Sequence, residues 1–176
     1  MQSILRKRES MENANHLELW SNIYFMLGSS SAGLIGLLFI VTSLHIDKIA
    51  NNPVLRRRAY HRTIYLFILL IESVLILMPQ AIKALGVELI VLNLFGLGFP
   101  LTNVYRFCFR DRTTGKTDDW AIVRAIRYIL AFLIGAAGGV AILRQSLWGM
   151  YMVTAAYVAI LVLVALNAWT IMLLRD

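Results

Sequence analysis

Five stretches of this chain are long and apolar enough to cross a lipid bilayer as helices. They cover residues 20–45, 63–79, 87–107, 121–143 and 147–174. A spanning helix needs about 20 mostly apolar residues, because its length must match the hydrocarbon thickness. Isolated strands would leave backbone groups unpaired in lipid, and the sequence lacks the alternating pattern of a membrane barrel. The chain is therefore predicted to be all-α, a polytopic membrane bundle of about five transmembrane helices.

The composition excludes a sizeable soluble domain. Hydrophobic residues make up 59% of the 176 residues, charged residues 15%, and the mean hydropathy is +0.70. A soluble domain is about 45–50% apolar and about 25% charged, so the excess apolar surface must face lipid. We predict a polar N-terminal segment over 1–19 and one transmembrane domain over 20–176. The single cysteine, Cys108, excludes an internal disulfide, and no cofactor or metal site is predicted.

The boundary between the second and third spans is the least defined. Pro79, Gln80, Lys83 and Gly86 interrupt an otherwise apolar run. We interpret this interruption as a tight turn between two spans. The alternative is one long kinked helix, which would leave four spans.

Positive charge predicts the orientation, because cytoplasmic loops of membrane proteins collect lysine and arginine. The segments after the first and third spans contain Lys48, Arg56, Arg57, Arg58, Arg62, Arg106, Arg110, Arg112, Lys116, Arg124 and Arg127. The N-terminus is therefore predicted outside and the C-terminus inside, although the Arg6–Arg8 cluster opposes this orientation. The formal charge of +7 is attributed to topology, so no nucleic-acid partner is expected. Arg56, Arg57 and Arg58 are candidates for anionic lipid head groups, and topology control explains them equally well.

Glu72 is the one formal charge well inside a predicted span. A carboxylate at that depth is costly, so such residues face the bundle interior, a partner or water. The functional interpretation is a proton or cation site, or a pore-lining ring in an oligomer. The structural interpretation is a protonated glutamate that hydrogen-bonds a neighbouring helix through Ser73.

Other polar side chains within the spans are candidates for a buried pathway or for helix contacts. Asn93 and Asn103 belong to a third span that also contains Pro100, which is expected to kink the helix. A kink can free carbonyls to line a cavity, or neighbouring helices can cap it. In the fifth span, Asn167 is expected to hydrogen-bond another helix.

Small residues repeat at helical spacing in the first and fourth spans. The positions are Gly28, Ala32, Gly33 and Gly36 in the first, and Ala131, Gly135 and Gly139 in the fourth. Such stripes let two helix backbones approach closely. Packing within one chain is the favoured interpretation, and contact between subunits is the alternative.

The chain resembles a widespread group of small, uncharacterised bacterial integral membrane proteins. The resemblance rests on Trp20 and Tyr24, on the run Gly36-Leu-Leu-Phe-Ile-Val-Thr-Ser-Leu44, on an aromatic residue near Trp120 and on Asn167-Ala168-Trp169. Members of the group often have an acidic residue after Asn-Ala-Trp, where this chain has Thr170. The resemblance implies a multi-pass protein of the bacterial inner membrane and implies no known activity.

A homo-oligomeric ion channel or pore is the leading functional hypothesis. It rests on the intramembrane carboxyl of Glu72, on the two small-residue stripes and on the lack of an extramembrane domain large enough for an enzyme site. A non-conducting accessory subunit, bound to a larger membrane protein complex, is the alternative. An enzyme is not expected, because Glu72 and His45 are the only plausible catalytic pair in the sequence.

Overall fold

A computed structural model describes residues 2–109, 119–146 and 148–172, and within them the chain forms helices and no strand. The helices are α1 (Gln2–Leu44), α2 (Ile46–Asn51), α3 (Pro53–Leu77), α4 (Ile82–Phe109), α5 (Asp119–Leu143) and α6 (Trp148–Met172). Over these described residues, all but α2 are long and apolar enough to cross a membrane, which gives five candidate spans. The all-α, five-span prediction is confirmed.

The turn predicted between the second and third spans is also confirmed. Residues 78–81 are not helical, so α3 and α4 are separate helices. Proline removes a backbone donor and disfavours helix in the residue before it, and Pro79 follows the end of α3 closely. The single kinked helix that would have left four spans is therefore wrong.

Two helices extend further than the apolar runs predict. The third helix begins at Pro53, ahead of the predicted start at residue 63, so Arg56, Arg57 and Arg62 lie on a helix and not in a loop. Proline is favoured in the first helical turn and arginine is a good helix former, whereas hydropathy detects only the lipid-matched part. Likewise α1 is helical from Gln2, so the backbone of the polar segment 2–19 continues the first span.

The five long helices form a closed ring in the order α1, α3, α4, α5, α6 and back to α1. A further contact between α3 and α6 crosses the ring. The centre is filled by buried apolar side chains from every long helix, among them Leu38, Leu66, Leu89, Phe132 and Ile160. Large apolar residues such as Val91 and Leu130 are exposed on the outside, as expected of surfaces that contact lipid.

The two ends of the bundle differ in character. We call the end with the short connections at 78–81 and 144–146 the hairpin end, where Trp20 and Trp148 both pack against Tyr151. We call the opposite end, with α2 and the first turns of α3 and α5, the basic end. Aromatic side chains favour the membrane–water interface, so the Trp20–Tyr151 contact marks that boundary at the hairpin end.

Candidate functional site

The buried carboxyl of Glu72 forms a hydrogen bond between α3 and α4. Asn93 donates from Nδ2 to Glu72 Oε1 across 3.2 Å. The two side chains are 3% and 1% exposed, which places both inside the bundle. Glu72 therefore faces the interior of its own protomer. This geometry does not favour a ring of Glu72 side chains around an axis shared by several protomers.

Close helix packing fixes the position of Asn93. Its Nδ2 also donates to the carbonyl oxygen of Leu89 across 2.9 Å, so both amide hydrogens are used. Gly135 of α5 lies against the same amide, and a Cβ atom built at Gly135 would be 2.8 Å from Asn93 Cγ. A glycine is required at this contact because any side chain would displace Asn93. Three helices thus determine the environment of the Glu72 carboxyl.

Ser73, next to Glu72, connects this pair to α1 and α6. Its hydroxyl donates to the carbonyl oxygen of Leu70 across 2.8 Å and lies directly against Gly28 of α1. It is also within hydrogen-bonding reach of the Tyr157 hydroxyl on α6. The interhelical hydrogen bond of Glu72 is made with Asn93, whereas Ser73 bonds its own helix.

Two pairs of hydroxyl groups join α1 to α6 beside the carboxyl. Ser31 Oγ and the Tyr157 hydroxyl are 2.9 Å apart, and the Tyr24 hydroxyl and Thr154 Oγ1 are 2.8 Å apart. The Tyr24 and Tyr157 rings meet edge to face with centroids 6.2 Å apart. Both tyrosine hydroxyls are near enough to Glu72 to interact with it electrostatically. We call these residues the Glu72 network: Tyr24, Ser31, Glu72, Ser73, Asn93, Thr154 and Tyr157.

The Glu72 network contains one carboxyl and no cation among the residues that the structure describes. The Glu72 carboxyl is 3% exposed and accepts a hydrogen bond from Asn93. An ionised carboxylate without a cation costs several kcal/mol in such a place, whereas a neutral carboxylic acid needs only hydrogen-bond partners. No group of three His, Cys, Asp or Glu side chains in the described part of the chain could hold a metal ion. The chemistry available at this site is that of a single acid surrounded by hydroxyl groups.

An apolar layer lies between the Glu72 network and the basic end. Leu66, Leu69, Phe132 and Ile160 fill it, each 2% exposed or less. Below it, the Tyr65 and Tyr128 rings pack at an interplanar angle of 31°, with centroids 4.7 Å apart. Glu72 lies seven positions after Tyr65 on α3, which corresponds to about 10 Å along the helix. The network is therefore isolated from the basic end, and only about one turn separates its outer pair, Tyr24 and Thr154, from the hairpin-end aromatics.

The remaining predicted polar residues lie at the basic end, not in the Glu72 network. Asn103 Nδ2 is 3.0 Å from Nδ1 of His61, and Asn167 Nδ2 donates to the Tyr128 hydroxyl across 3.2 Å. Arg62, 8% exposed, lies near Tyr128. These contacts join α3 to α4 and α5 to α6, as interhelical polar contacts do in other membrane bundles.

The small-residue stripes occupy two different environments. In α5, Ala131, Gly135 and Gly139 are buried, and a Cβ at Gly139 would be 3.1 Å from the carbonyl oxygen of Gly86. In α1, only Gly28 is buried, whereas Ala32, Gly33 and Gly36 lie on the outer surface. A Cβ at Gly33 or Gly36 would meet nothing within 4 Å. The α5 stripe thus packs within the chain, and most of the α1 stripe does not.

Arg56 and Arg57 are exposed on the first turns of α3, at the basic end. The backbone of Arg58 continues the same helix, and its side chain lies outside the described residues. Exposed arginines at a helix end are free to reach the head-group region, so a role toward anionic lipid stays a prediction.

Sequence reasoning identified Glu72, Ser73 and Asn93 and missed the hydroxyl groups around them. Serine and threonine are common in spanning helices, where their hydroxyls often bond the backbone of the same helix. Ser30 and Thr42 do so here, to the carbonyl oxygens of Met26 and Leu38. Nothing in the sequence separates these residues from Ser31, which faces α6.

Comparison with protein-family models, with curated proteins and with solved structures finds no match. The class of the protein therefore follows from its own architecture. Five apolar helices of spanning length, arranged around a buried core and covered outside by apolar side chains, make it a multi-pass integral membrane protein.

Proposed function

We propose that this protein is an ion-conducting protein of the bacterial inner membrane, a homo-oligomeric channel or pore in which Glu72 is the ion-binding group. The observation that carries the proposal is the burial of the Glu72 carboxyl where five helices meet, with no cation beside it among the described residues. Ionisable groups inside membrane spans are expensive and usually mark ion or proton pathways. Because Glu72 faces the interior of its own bundle, the pathway passes through each protomer and not along a shared axis.

The experiment that tests the proposal is ion flux into liposomes that contain only the purified protein. Flux above that of protein-free liposomes supports conduction. A folded protein that is inert alone and co-purifies with another membrane protein supports the accessory-subunit alternative.

The outer face of α1 supports the homo-oligomer. Only 22% of the most apolar 18-residue stretch of α1 is buried within the protein, whereas 28–39% of the corresponding stretch is buried in the other four spans. That face presents Ser29, Ala32, Gly33 and Gly36, which are all small and exposed. A surface of small residues lets a second helix approach closely, and a second copy of the chain is the partner we propose.

Gly36→Leu is expected to weaken the oligomer without unfolding the protomer. Both Gly36 and Gly98 are exposed, with nothing near a Cβ atom, so leucine fits at each position in an isolated protomer. Gly98→Leu on α4 is therefore the matched control. Energy transfer between labelled protomers in liposomes should fall for Gly36→Leu alone. Equal transfer in the two variants would place the interface elsewhere.

The orientation, with the N-terminus outside, is tested by single-cysteine labelling after Cys108 has been replaced by serine. A cysteine at Thr114 should react with an impermeant maleimide only from the cytoplasmic side, because the segment around it is rich in arginine. A cysteine at Asn13 should react only from the outside. Labelling of the two positions from the opposite sides would reverse the topology.

A further inference from the structure

We infer that the species exchanged at Glu72 is the proton, and that the part of its pathway between Glu72 and the hairpin end runs past the Tyr24–Thr154 hydroxyl pair. The inference rests on the proposed function, since it names the ion that the same carboxyl binds. Three observations carry it: the space around the carboxyl, the groups that face it, and the layers above and below it.

The groups around Glu72 are not arranged to coordinate a metal cation. Asn93 presents its amide nitrogen, not its oxygen, to Glu72 and Leu89, and the Cβ positions of Gly28 and Gly135 are already filled by Ser73 and Asn93. A sodium or potassium ion needs several oxygen ligands that converge on a common centre, as other hard cations do. Here the hydroxyls are paired with one another: Ser31 with Tyr157, and Tyr24 with Thr154. A proton needs no such cavity, since it resides on the carboxyl oxygen itself.

The groups that face the carboxyl from each packed helix suit proton exchange. Tyr24 on α1 and Tyr157 on α6 are the titratable groups near it, and Asn93 on α4 is uncharged. Gly135 of α5 brings no side chain. With no cation beside it among the described residues, Glu72 is tolerated as the neutral acid. Release breaks the carboxyl O–H bond: the proton passes to water and the carboxylate keeps the electron pair. Return of a proton restores the acid.

The layers define the side from which the proton comes. Toward the basic end, Leu66, Leu69, Phe132 and Ile160 offer no hydrogen-bonding side chain. Toward the hairpin end, Tyr24 and Thr154 lie about one helical turn above the carboxyl, and Trp20 and Tyr151 lie about one turn further. Hydroxyl groups both donate and accept hydrogen bonds, so they can pass a proton directly, whereas the apolar layer conducts only when water enters it.

Infrared difference spectroscopy of the protein in lipid, with the bulk pH stepped, tests the inference without requiring transport. The wild type should show the carbonyl band of a buried neutral carboxylic acid, which is lost at high pH and shifts in heavy water. Glu72→Asp should move the band and Glu72→Gln should remove it, whereas Glu88→Gln should leave it unchanged. A band that sodium or potassium displaces at fixed pH would overturn the inference, as would the absence of any Glu72 acid band.

The route is tested by the rate at which that band responds to a pH step. Tyr24→Phe keeps the ring and removes the hydroxyl, so the response should slow severalfold. Tyr60→Phe removes an exposed hydroxyl at the basic end, away from the proposed route, and should leave the rate unchanged. Equal rates in the three proteins would contradict entry past Tyr24. A titrating Glu72 band with no flux in liposomes would contradict the proposed function but not this inference. Metal-cation flux without a titrating band would contradict this inference but not the proposed function.

Discussion

Glu72→Gln is expected to lower ion flux through the reconstituted protein to the level of protein-free liposomes. Glutamine has nearly the shape of glutamate and still offers an oxygen to Asn93 Nδ2, which donates to Glu72 Oε1 across 3.2 Å in the native protein. The variant cannot ionise, so it cannot take up or release an ion. The thermal unfolding midpoint should therefore stay close to that of the wild type while flux disappears.

Glu88→Gln is the matched control for that experiment. Glu88 lies on α4 near the hairpin end, where its Oε2 accepts a hydrogen bond from Gln80 Nε2 across 2.9 Å. It is outside the Glu72 network, so its neutralisation should leave flux unchanged. Unchanged flux in Glu72→Gln, with a lower unfolding midpoint, would show that Glu72 serves only as a structural hydrogen-bonding group.

Gly135→Ala is expected to lower the free energy of unfolding by about 1–3 kcal/mol, the usual cost of overpacking a filled interior. The added methyl group would overlap the Asn93 amide, which is held by its hydrogen bonds to Leu89 and Glu72. Relief of the overlap requires α5 to move away from α4 or Asn93 to leave Glu72. Flux should fall together with stability, because the Asn93–Glu72 bond is lost.

Gly98→Ala provides the comparison at a position of the same residue type. A Cβ atom at Gly98 would meet nothing within 4 Å, so the change should alter the free energy of unfolding by no more than about 0.5 kcal/mol. Unfolding of both variants in mixed micelles, followed by circular dichroism, measures the difference. Equal stability of the two variants would mean that α4 and α5 are not packed closely at Gly135.

The sequence alone was sufficient to predict the five long helices, because the lipid environment imposes a length and an apolar composition that can be counted. It did not show where α3 begins, since arginines beyond the apolar run continue the helix from Pro53. Helix ends outside the hydrocarbon layer are not marked by hydropathy, and only Pro53 signals this one.

The individual residues of the candidate site could be predicted from the sequence, but their arrangement in space could not. A charge or an amide in an apolar run is conspicuous, which is why Glu72 and Asn93 stand out. Their pairing depends on the rotation and relative height of α3 and α4, which no local pattern specifies. The glycine stripes show the same limit: Gly135 and Gly36 have equivalent spacing patterns, yet one is buried against Asn93 and the other faces outward.

Ion flux by the wild-type protein alone, in liposomes of pure lipid, tests the central claim most directly. Folding in the same liposomes is verified by circular dichroism, and the flux assay is validated with liposomes that contain an ionophore. We predict flux that rises with the amount of protein incorporated and that is lost in Glu72→Gln. Folded protein that leaves the ion gradient intact would contradict conduction and would make the search for a membrane partner the next step.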